Sequence, residues 1–131
     1  MKSLLLVLLG LAVALNCGCA TMADVRQARG EGTSKTYSAS FDVVWKAVSE
    51  ALPSLGLTVT TDNKQEGYIL AERKATGFTW GEKVAVFVTS VGSTETRVEV
   101  VSKRVLATNF TATDWEPKVL QRVEQVLAQG K

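Results

Sequence analysis

The chain contains no histidine, and its two cysteines, Cys17 and Cys19, are one residue apart. Without histidine, the commonest general base and metal ligand is missing. Zinc-binding cysteines use wider spacing and need further ligands, so Cys17-Gly18-Cys19 makes neither a metal site nor a redox pair. The carboxylates are scattered: Asp42, Glu50, Asp62, Glu66, Glu72, Glu82, Glu95, Glu99, Asp114, Glu116 and Glu124, with Lys or Arg close by. They read as solvated surface, with Asp114 and Glu116 explained by a helix cap. Neither a clustered carboxylate loop for a cation nor a glycine-rich phosphate loop is present. Charge of one sign is lacking too. Fifteen Lys+Arg face thirteen Asp+Glu, alternating in sign, which excludes the basic stripe of a nucleic-acid binder. These absences leave binding or scaffolding rather than catalysis.

What is present begins at the N-terminus. Met1-Lys2 supplies a positive start, and Leu4 to Leu15 forms an apolar run broken only by Gly10. That run is too short to span a bilayer, which takes about 20 residues. It has the length of the hydrophobic region of an export signal. A core helix is a poorer account, because every face is apolar and the segment sits behind a terminal lysine. Asn16-Cys17-Gly18-Cys19-Ala20 resembles the lipobox of bacterial lipoproteins, in which a small residue precedes the cysteine that is lipidated. Gly18 places that role on Cys19, whereas Cys17 follows Asn16, a poor fit. The leucine usual three places before the cysteine stands one place too far back, at Leu15. The resemblance implies removal of residues 1–18 as a signal peptide and a covalent lipid on Cys19. No other cofactor is expected. The alternative is cleavage after Ala14 and release into the periplasm. Loss of Lys2 with the signal takes Lys+Arg from 15 to 14 against 13 acidic residues. Ala20 is not the aspartate that retains enteric lipoproteins at the inner membrane, so the resemblance favours the periplasmic face of the outer membrane.

Residues 19–35 read as a flexible tether of about 20 Å; Val25 and Arg29 share a face, so Met22 to Arg29 can form a short helix, but too little of it is apolar to bury. The domain spans residues 36–131. Thr36 to Ala39 is a short strand, and Ser40 caps a helix in which Phe41, Val44, Trp45, Val48, Leu52 and Leu55 share one face. Burying that stripe is worth about 10 kcal/mol gross. Gly56 ends the helix. Leu57–Thr61, Glu66–Lys74, Lys83–Val91 and Glu95–Lys103 follow as strands, with Ile69, Ala71, Val84, Val86, Val88, Val98 and Val100 inward. Thr113 caps the last helix, Glu116 completes a capping box, and Trp115, Val119, Leu120, Val123, Val126 and Leu127 form its stripe. Two amphipathic helices need one apolar sheet face. The expected fold is therefore α+β, a two-layer sandwich in β-α-β-β-β-β-α order with both helices on one face of an antiparallel meander.

Over Tyr37 to Leu127 this order resembles the small helix-grip domains of Gram-negative lipoproteins. The C lipoprotein of the outer-membrane β-barrel assembly machine is among them, as are single-domain lipoproteins of the same build. The residues carrying the resemblance are Tyr37 through Val48, Leu55-Gly56-Leu57-Thr58-Val59 and Glu66-Gly67-Tyr68-Ile69-Leu70-Ala71. It implies a membrane-anchored, periplasm-facing interaction module without catalysis and with another envelope protein as partner. No active-site motif is carried over. Phe78 and Trp80, alternating between glycines in Thr76 to Gly81, are candidate partner anchors, because aromatics dominate interface hot spots. Folded back over the sheet edge, they would instead be a core lid. Asn109-Phe110 is a weaker candidate, and Trp45 and Trp115 are assigned to the core. The alternative function is a carrier holding a small apolar ligand in a cavity between helices and sheet.

Overall fold

The computed structural model describes residues 22–75, 81–104 and 113–130. Cys19, Phe78, Trp80, Asn109 and Phe110 lie outside the described residues. In chain order the elements are α1 (Met22–Gln27), β1 (Thr33–Tyr37), α2 (Phe41–Ser54), β2 (Thr58–Asn63) and β3 (Tyr68–Arg73). They are followed by β4 (Glu82–Ser90), β5 (Thr96–Arg104) and α3 (Trp115–Gln129).

Alternating valines build the centre of the sheet. Val84, Val86 and Val88 of β4 stand beside Ser102, Val100 and Val98 of β5, and β2 to β5 continue as a meander. The strand order is β1-β5-β4-β3-β2, antiparallel throughout. Because β1 and β2 are opposite edges, α2 carries the chain across the whole sheet. Its stripe of Val44, Val48 and Leu52 is wholly buried, as are Val119 and Val123 of α3. Both long helices close the same sheet face, giving the α+β sandwich expected. Trp45 and Trp115 belong to this core.

Three details differ from the reading of the sequence. Asp114, not Thr113, caps α3, and its carboxylate accepts from the Glu116 N–H at 3.3 Å. Thr113 is committed elsewhere: its N–H donates to Glu82 at 2.9 Å and its hydroxyl accepts from Arg73 at 3.1 Å. Second, β1 begins at Thr33, three residues earlier than Thr36. Polar Thr33-Ser34-Lys35 joins the sheet through backbone pairing with β5, from Thr33↔Val100 to Tyr37↔Thr96, so apolar alternation gives no sign of it.

Third, the segment expected to be a tether carries α1, packed on the sheet face that α2 and α3 leave open. Val25 and Ala28 are 0% and 4% exposed and rest on Tyr68, Leu70, Ala85, Phe87 and Val101. The apolar surface that makes this burial worthwhile lies on the sheet, so the helix needs to supply little. Two arginines complete the cover. The Arg26 guanidinium lies 4.8 Å from the centre of the Tyr68 ring, and that of Arg29 lies 4.5 Å from Phe87. Just beyond, the Gly30 N–H donates to both Glu99 oxygens, at 2.8 and 3.0 Å.

Gly67 explains the Glu66-Gly67-Tyr68 part of the signature. Its φ of +75° lies in the left-handed region, and a Cβ there would stand 2.6 Å from the Val88 carbonyl oxygen. The close approach serves a ladder bond, from the Val88 N–H to the Gly67 carbonyl at 2.8 Å.

Candidate functional site

Helical spacing gives α2 a second stripe beside its core face. Val43, Lys46, Ala47 and Glu50 recur at three- and four-residue intervals and line a groove. Its other wall is the last turns of α3, with Glu124, Leu127 and Ala128, and its floor is Tyr37-Ser38-Ala39 at the end of β1. The groove holds about 530 Å³. Its interior is largely apolar and its rim is charged. Val43, at 52% exposure, is a large hydrophobic left open to solvent at its mouth.

Tyr37 fixes the floor to the wall. Its phenol donates to the Leu120 carbonyl at 2.9 Å, and its ring lies beneath the Lys35 ammonium at 5.7 Å. Lys35 in turn pairs with Glu124 of α3 at 2.6 Å. Burial pushes the Tyr37 hydroxyl up to about 12, and the neighbouring Glu124 charge adds to the shift. The phenol therefore stays a neutral donor throughout the physiological range. Below the groove, the sheet–helix interface is filled by Val48, Leu52, Val86, Val100, Val119 and Val123, each fully buried. Among the described residues, the space between helices and sheet is occupied by these side chains, and the groove is open to an apolar guest.

A buried polar node lies under the start of α3. Glu82 is fully buried, which corrects its assignment to the solvated surface. One of its oxygens accepts from the Thr113 N–H at 2.9 Å, and Thr113 accepts from Arg73 at 3.1 Å. Arg73 is also the Cα partner of Glu82 across β3 and β4. The second Glu82 oxygen and the Trp115 indole N–H have no hydrogen-bond partner among the described residues. This arrangement pins the helix start to the sheet. Extending the inward alternation of Val84, Val86 and Val88 by one step back reaches Glu82, a signal available in the sequence.

No group of three or more Cys, Asp or Glu that could hold a metal occurs among the described residues. No helix among them is long and apolar enough to cross a membrane.

No curated protein matches the chain. Among solved structures, an uncharacterized protein from Bacillus thuringiensis is similar at a TM-score of 0.44 and 13% identity, over 75% of this chain and 90% of that one. Residues 24–128, from α1 to the end of the groove wall, match the model of the outer membrane protein assembly factor BamC-like C-terminal domain; the chain belongs to that family.

Proposed function

We propose that this chain is a non-catalytic module, lipid-anchored through Cys19 on the periplasmic face of the outer membrane. Its task in this reading is to serve outer membrane protein assembly by holding a segment of another envelope protein in the α2–α3 groove. The observation that carries the reading is that the family match spans the elements forming the groove, where Val43 is held open to solvent. A large exposed apolar side chain beside a concave, charge-rimmed wall is the usual build of a partner site. Phe78 and Trp80 are a second set of contacts in this proposal. A small apolar guest in the same groove is the second reading, favoured by a volume within the range of small-molecule sites.

The test is cross-linking in living cells followed by purification from detergent-solubilised membranes and mass spectrometry. An envelope protein recovered near stoichiometrically, lost in Val43→Arg and Ala128→Arg and lost in Cys19→Ala, is the expected result. Phe78→Ala and Trp80→Ala should also reduce recovery while leaving the fold intact. Recovery unchanged by the groove variants would overturn the groove assignment. A protein-free preparation carrying an extractable apolar molecule would favour the carrier.

A further inference from the structure

The docking of α1 changes what a lipid on Cys19 would do. Only Ala20 and Thr21 separate that cysteine from Met22, where α1 begins. A chain step of three residues reaches at most about 11 Å even when fully extended. That is about the diameter of one helix with its side chains. From Met22 onward the backbone is committed to the sheet: Val25 and Ala28 are buried, and Gly30 is bonded to Glu99. A domain leashed this closely cannot stand off from the bilayer.

We infer that the α1-covered face of the sheet lies directly against the lipid headgroups of the anchoring membrane, with α2, α3 and the groove turned to the periplasm. The inference rests on lipidation of Cys19, proposed above. The face suits that contact. Arg26–Glu66, Lys103–Glu31 and Lys83–Glu72 are paired, and Glu99 accepts from the Gly30 N–H, so these carboxylates are engaged within the protein rather than turned toward anionic lipid. Arg29 lies with its guanidinium over the Phe87 ring and donates one long hydrogen bond, 3.4 Å to the Glu66 carbonyl. Among the described residues its other N–H donors have no hydrogen-bond partner, and they are the ones offered to a lipid phosphate. The leash selects the face and the headgroup phosphates complete the contact.

The processed chain has no cysteine besides Cys19, whose sulfur the lipid blocks, so single-cysteine labelling is clean. Gln27→Cys on α1 and Gln121→Cys on the outer side of α3, both exposed sites, are labelled with a fluorophore. The full lipidated protein is placed in phosphatidylethanolamine–phosphatidylglycerol vesicles carrying a headgroup nitroxide. Quenching at least fivefold stronger at the α1 site is expected. A flexible insert of 20 Gly/Ser residues after Thr21, about 25 Å in r.m.s. reach, should bring the two sites close to equality. Equal quenching in the native chain, or a contrast that survives the insert, would overturn the inference. The mass of the N-terminal peptide separates the two proposals. An unlipidated Cys19 removes the anchor itself, and with it this inference. A lipidated chain with equal quenching removes only the orientation.

Discussion

Replacing Tyr37 with Phe should leave a stability profile that crosses that of the parent chain as pH rises. Tyr37 is 6% exposed, and its hydroxyl is held protonated to about 12 against an ordinary value of 10.0. Between those two pH values the unfolded chain has released a proton that the folded chain still holds. The unfolded state then binds fewer protons, so stability must fall with rising pH in that window and be unaffected below it. A shift of two units corresponds to about 2–3 kcal/mol. Tyr37→Phe has no proton to lose there, but it forfeits the 2.9 Å bond to Leu120, worth about 1 kcal/mol. The variant should therefore be about 1 kcal/mol less stable at pH 7–9, equal near pH 11, and more stable by about 1–2 kcal/mol at pH 12. Urea unfolding followed by tryptophan fluorescence at half-unit intervals would read both curves. Tyr68 is common to both proteins and cancels. Curves that stay parallel from pH 7 to 12 would refute the reasoning.

Other consequences can be measured on the same footing. Gly67→Ala places a Cβ 2.6 Å from the Val88 carbonyl oxygen at a positive φ and should cost about 2–3 kcal/mol in urea unfolding. Glu82→Gln keeps an acceptor for the Thr113 N–H and should change stability by less than about 1 kcal/mol, whereas Glu82→Ala strands that donor and should cost about 1–3 kcal/mol. Val25→Asp puts a charge into the second core. It should undock α1, seen as rapid amide exchange and protease cleavage between residues 22 and 32, while β4 and β5 stay protected.

The parts of the fold legible in the sequence are those with strong periodicity. The α2 stripe through Val44, Val48 and Leu52, the α3 stripe through Val119 and Val123, and the β3–β5 alternation all face as expected. What escaped was held by other forces. The first residues of β1, Thr33-Ser34-Lys35, enter through backbone bonds that any polar side chain permits, and the docking of α1 is recruited by Tyr68 and Phe87, residues distant in sequence. The groove was illegible for a related reason. Val43 and Ala47 look like a broadening of the core stripe, and only the crossing of α2 over the end of α3 turns them into a wall. Glu82 was hidden by its chemistry, since a carboxylate suggests surface even where the strand period points inward. Phe78, Trp80 and Cys19 were singled out by local pattern alone, and their roles rest on the experiments set out above.

The pairing of β1 with β5 also sets an order of assembly. Ser90 and Thr96 meet across a short turn, whereas Thr33 must find Val100, so the first strand in the chain pairs only after the last has been made. Contacts of such sequence separation carry a loop-closure cost that local hairpins do not. The β3–β5 meander should therefore gain protection first in pulsed hydrogen exchange, with β1 following. Lys35 and Tyr37 then reach Glu124 and Leu120, so that closing the sheet at β1 also seats the tail of α3. The two ends of the chain thus lock each other, and a truncation at either end should slow the same final step of folding.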